Sequence, residues 1–177
     1  MATPTFYNTE IARVAGALWG SKLGASSMSA VMAAVNANGM AKVVNDAYNA
    51  SFGAVENATV AATVVANLGI TGSAATPAIN AVKATLDGAP SGGKGAALVA
   101  LLNTYAGMTG DATYGAFATD FNSKVASALT YSQTANTVDS TFVTAAPTPV
   151  TSFRSSRSGS LRLSWRHACS HAELLPG

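Results

Sequence analysis

Apolar residues in this chain recur every three or four positions rather than every two, which is the spacing of amphipathic helices and not of strands. After Asp111 the residues Tyr114, Phe117, Ala118, Phe121, Val125, Ala128 and Leu129 fall on one face, with Asp120, Ser123, Lys124 and Ser127 largely elsewhere, predicting a helix over about 113–132. The stripe of Leu98, Leu101, Leu102 and Tyr105 predicts another over 94–105, stopped by Gly107. In "TPAINAVKATLDG" Thr76 is placed to cap, Pro77 takes the first helical position and Gly88 lies just past the end. Asn57 is placed to cap "ATVAATVVANL", which Gly69 ends. Earlier stretches "TEIARVAGALW", "SMSAVMAAVN" and "MAKVVNDAYNASF" are closed by Gly20, by Asn38 with Gly39, and by Gly53.

The expected fold is therefore all-α, a bundle of roughly seven short helices packed closely through small residues. Its limits are 5–140. Beyond Gln133 the periodicity fades into Thr, Ala and Pro, with Pro147 and Pro149 marking a linker over 141–153. A basic tail, 154–177, follows and is expected to be disordered.

Composition narrows the functional classes. Charged residues are 10% of the 177, well below the ~25% usual for globular chains, so Thr, Ser, Asn and Gly must make the surface polar. Residues 1–150 carry five Lys and one Arg against seven acids, a net charge of −1. Such a body has no electrostatic footprint for nucleic acid. No apolar run approaches the ~20 residues that span a bilayer. The start lacks the basic and apolar regions of a secretory signal.

Little in the body suggests chemistry. "GAPSGGKG" places Gly88, Gly93 and Lys94 as a phosphate-binding loop does, but Gly95 replaces the hydroxyl that holds magnesium, and a helix rather than a strand precedes it. Asp111 in "GDATYG" reads as a helix cap rather than a calcium ligand. The acids are scattered singly, so no carboxylate pair for acid–base catalysis can be named. Trp19, Met28, Met32, Met40, Tyr48 and Phe52 read as core. The sequons at Asn49 and Asn57 lie in a helix or its cap.

The tail differs. It holds four of the five arginines, both histidines and the lone cysteine. In "HACSH" His167, Cys169 and His171 alternate and could ligate a soft or borderline metal from one face of an extended chain. The abrupt change of composition is also what a coding sequence gives when it is read out of frame or runs into vector sequence.

The succession "NATVAATVVANLGITGSA", "ALLNTYAGMTGDATYGAFATDFNSKV" and "ASALTYS" resembles the all-helical N-terminal region of bacterial S-layer and RTX-type (hemolysin-like calcium-binding) secreted surface proteins, over roughly residues 5–145. That resemblance implies a non-enzymatic module at the cell surface of a Gram-negative bacterium, attached to outer-membrane polysaccharide or to other copies of itself. It implies no cofactor in this chain, with calcium bound by β-rich repeats of a longer parent protein. The repeat G-G-x-G-x-D-x-U-x is absent here. The rival reading is a structural protein that assembles by itself into filaments or sheets.

Overall fold

A computed structural model describes residues 4–134 and 139–142 of the chain. Seven helices carry it: α1 (Pro4–Trp19), α2 (Ala25–Asn38), α3 (Met40–Phe52), α4 (Asn57–Asn67), α5 (Ala75–Gly88), α6 (Lys94–Ala106) and α7 (Gly115–Gln133). The expected all-α bundle is what forms. A 3-10 turn, Gly72–Ala74, leads into α5, and two strands of two residues each, β1 (Ser21–Lys22) and β2 (Ser140–Thr141), pair antiparallel.

Helix α1 is the axis. Ile11, Ala12, Val14, Ala15, Ala17 and Leu18 are all buried, and residues at that spacing cover every side of a helix. It touches α2, α4, α6 and α7, while α4 packs on α5, α5 on α6, α6 on α3, and α3 on α2. The stripe expected on α7 turns inward as read: Ala118, Phe121, Val125 and Ala128 are buried, with Tyr114, Phe117 and Leu129 packed against the core.

Small residues set the distances between helices. A Cβ added to Gly95 of α6 would lie 2.5 Å from the carbonyl oxygen of Val44 in α3, so the two backbones meet where no side chain fits. Asn45 secures the same contact, its Oδ1 accepting the Ala96 N–H at 2.8 Å. That amide belongs to the first turn of α6, whose donors have no partner within the helix.

Aromatic and sulfur side chains fill the core as the sequence suggests. Met28, Tyr48 and Phe52 are buried, and Trp19, Met32 and Met40 are half-buried against the core. Trp19 donates its indole N–H to Ser51 Oγ at 3.1 Å, and its ring lies 5.9 Å from that of Phe52.

Three helix starts differ from expectation, those of α5 and α4 and that of α7, where Tyr114 rather than Asp111 holds the cap position. Thr76 does not cap α5: the preceding 3-10 turn continues into the helix, which begins at Ala75, leaving Thr76 and Pro77 inside its first turn. Proline is tolerated there because its missing N–H would have had no helical acceptor. Nor does Asn57 cap α4, where Glu56 holds the cap position and Asn57 is the first helical residue. Its side chain binds across to α5 and α6 instead. The end of α4 follows the sequence signal: Gly69 has φ +77°, and the Ile70 N–H reaches back to the Val65 carbonyl, a helix termination that glycine favours.

The chain also stays with the bundle past residue 140. Thr141 and Phe142, assigned by composition to the linker, are held by the domain: Ser21 pairs with Thr141, Lys22 with Ser140, and Phe142 is 1% exposed. Burial of one aromatic ring between α1 and α7 outweighs the Thr- and Ala-rich composition around it. The rest of the linker, 143–153, and the tail lie outside the described residues.

Candidate functional site

Polar side chains gather at two places. The first is inside. Glu10, 8% exposed on the central helix, accepts from Asn103 Nδ2 at 2.7 Å, and Asn103 Oδ1 accepts from Arg13 Nη1 at 3.0 Å. One amide on α6 thus bridges an acid and a base on α1, using both of its functions. An isolated buried charge costs several kcal/mol, so the bridge makes Glu10 and Arg13 tolerable on a helix whose other buried residues are apolar. Arg13 Nε, also buried, has no protein partner.

The second lies outside, where the start of α4, the end of α5 and the start of α6 meet. Asn57 Nδ2 donates to Asp87 Oδ1 at 2.7 Å, Lys94 Nζ donates to Asn57 Oδ1 at 2.9 Å, and Lys83 binds the other oxygen of Asp87. These donors hold the Asp87 carboxyl below its ordinary pKa, the Asn57 hydrogen bond most strongly and then Lys83. Lys94 is the residue that the phosphate-loop pattern singles out. Its ammonium group serves here as a tie between α6 and α4, and the loop before it follows helix α5 as expected. Both sequon asparagines sit on helices, Asn49 exposed on α3 and Asn57 in this junction.

Asp111 does not cap α7, which begins at Gly115 with Tyr114 in the cap position. Its Oδ1 instead accepts the N–H groups of Thr113 and Tyr114, each at 2.8 Å, in the turn that precedes the helix. Those two donors lower its pKa, Tyr114 first. Two tyrosines carry buried hydroxyls without a protein partner, Tyr48 and Tyr105. Burial, with the Asp120 charge adding to it, pushes Tyr105 up to about 12.

Comparison with protein-family models, with curated proteins and with solved structures returns no match.

His167, Cys169 and His171 lie outside the described residues. Among the described residues no group of three His, Cys, Asp or Glu side chains is arranged to hold a metal ion, and no helix is long and apolar enough to cross a membrane. Neither polar cluster was visible in the sequence, since Glu10 and Asn103 are 93 positions apart and Asn57 and Asp87 are 30 apart. Asn-rich helices were the available signal, but nothing in the local spacing selects Asn103 or Asn57 from the other asparagines.

Proposed function

We infer that this chain is a non-enzymatic cell-surface module, an S-layer-like or RTX-like N-terminal domain that attaches to outer-membrane glycan or associates with other copies of itself. The observation that carries the reading is how the outer surface is built. Its charges are largely satisfied within the fold: Lys42 pairs with Asp46, Lys83 with Asp87 and Lys124 with Asp120, each one helical turn apart. Hydroxyls do likewise, since Thr63, Thr85, Thr104, Ser123 and Thr130 each donate to the carbonyl four residues back. What remains is a neutral face of Ala, Thr and Asn, suited to close packing against uncharged polymer or another copy. The location implied is extracellular, on a Gram-negative cell, with calcium belonging to a longer parent protein and none to this chain.

The rival is self-assembly into filaments or sheets without glycan. It is favoured by one specific face: Ala58, Ala62 and Ala66 are exposed in a row along α4, with Thr59 and Thr63 beside them. Negative-stain microscopy of the full chain separates the two. Ordered polymers in buffer alone favour the rival, and retention on immobilised outer-membrane polysaccharide by non-polymeric protein favours the surface module.

A further inference from the structure

Three polar side chains meet where α1 packs on α6. Asn103 Nδ2 donates to Glu10 Oε1 at 2.7 Å, and Asn103 Oδ1 accepts from Arg13 Nη1 at 3.0 Å. Positions 10 and 13 are near enough on one helix to pair with each other, yet each charge reaches across to the neutral amide. That makes a weak stabiliser. Glu10 is taken from water to 8% exposure, and Arg13, half-buried, leaves its Nε buried with no protein partner. Apolar side chains of similar size in such a place often leave a fold as stable as before or more so.

We infer that the bridge is a register lock, which selects one setting of α1 against α6 rather than stabilising the folded state as a whole. The other buried side chains of α1 select poorly. Ile11, Ala12, Val14, Ala15, Ala17 and Leu18 are apolar and half of them are alanine, and apolar attraction has no direction. Turning α1 by one residue swings its side chains by about 100°, and sliding it one turn moves them about 5.4 Å. Either shift still sets apolar residues against apolar neighbours. It also breaks both hydrogen bonds and strands the Glu10 carboxylate without a partner, which is strongly destabilising. The bond that Asn67 makes to α1 goes to the Ala17 backbone carbonyl, a group that every residue repeats. The Gly16 contact with Phe142 sets α1 on its α7 side, and the amide sets it on its α6 side. A single setting of the central helix gives the domain one outer surface, which either arm of the proposed function can use; the inference does not rest on that reading.

A full-length chain carrying Glu10→Leu, Arg13→Leu and Asn103→Leu together tests this, read by thermal unfolding and by the amide signals of α1 and α6 in a proton–nitrogen correlation spectrum. The expected result is a Tm equal to or above that of the native chain, with doubled or broadened signals for residues such as Ala12 and Leu102 where the native chain gives one signal each. A single sharp set overturns the proposal at any Tm. So does a Tm below the native one in a variant that folds, because the bridge is then a stabiliser. Should the leucine variant not fold, the triple alanine variant at the same positions, which cannot overpack, decides by its signals alone: doubled signals support the lock, and a single set overturns it.

Discussion

Phe142 occupies the space that a side chain on Gly16 would need. A Cβ there would stand 2.5 Å from two carbons of the Phe142 ring, closer than any van der Waals contact. This pair links the last described residue of the chain to the middle of the central helix, and it explains why α1 carries a glycine in its interior despite the helical penalty of ~1 kcal/mol.

Gly16→Ala should therefore destabilise the fold by roughly 1–3 kcal/mol, the usual cost of overpacking a filled core. The same substitution in a Phe142→Ala background should cost less, because the clash is gone. A double-mutant cycle by denaturant unfolding reads the difference, and strict additivity would contradict the contact.

Gly95 and Gly88 should respond in opposite directions. At Gly95 the obstruction is Val44 backbone at 2.5 Å, which cannot rotate away, so Gly95→Ala should cost about 1–3 kcal/mol or more by forcing α6 from α3. At Gly88 nothing lies within 4 Å and φ is not positive. Gly88→Ala should be neutral or stabilise by up to ~1 kcal/mol. Thermal unfolding of the two variants ranks them.

Tyr105 gives a test at high pH. Its pKa is raised from 10.0 to about 12, so between those values the unfolded chain has lost a proton that the folded chain keeps. Stability contributed by this group is present below pH 10 and falls as pH rises toward 12. Tyr105→Phe removes that slope. It should also be neutral or stabilising at pH 7, because the hydroxyl it deletes is buried without a partner. A marked loss of stability at pH 7 would show that the hydroxyl is bonded.

Asp111 gives one at low pH. Its folded pKa lies below the ordinary 3.8 because the N–H groups of Tyr114 and Thr113 bind the ionised form. The stabilisation is present above 3.8 and is lost as pH falls through the lower folded value. The difference in Tm between the native chain and Asp111→Ala should hold steady above about pH 5 and narrow below 4.

Helices were legible in the sequence because each contains two or more turns of repeating pattern. Leu98, Leu102 and Tyr105 on α6, and Phe121, Val125 and Ala128 on α7, are buried as their spacing predicts. The strand pair was not legible, since two residues are too few to show a period of two. Phe142 was lost among Thr, Ala and Pro for a related reason: its burial is set by Gly16 and Phe121, far away in the chain. Thr76 and Asn57 carried genuine capping signals that tertiary structure overrode, through a 3-10 turn that extends the first helix and through the Asp87 and Lys94 partners that take up the second side chain. The polar bridge of Glu10, Asn103 and Arg13 joins two helices whose pairing no local pattern encodes.

The central claim is that the chain acts by attachment or association at a surface. Sedimentation velocity of the full chain, over a range of concentrations and with and without purified outer-membrane polysaccharide, tests it most directly. The account predicts faster-sedimenting species that grow with concentration, or co-sedimentation with the polysaccharide. A single monomeric boundary under every condition would contradict it.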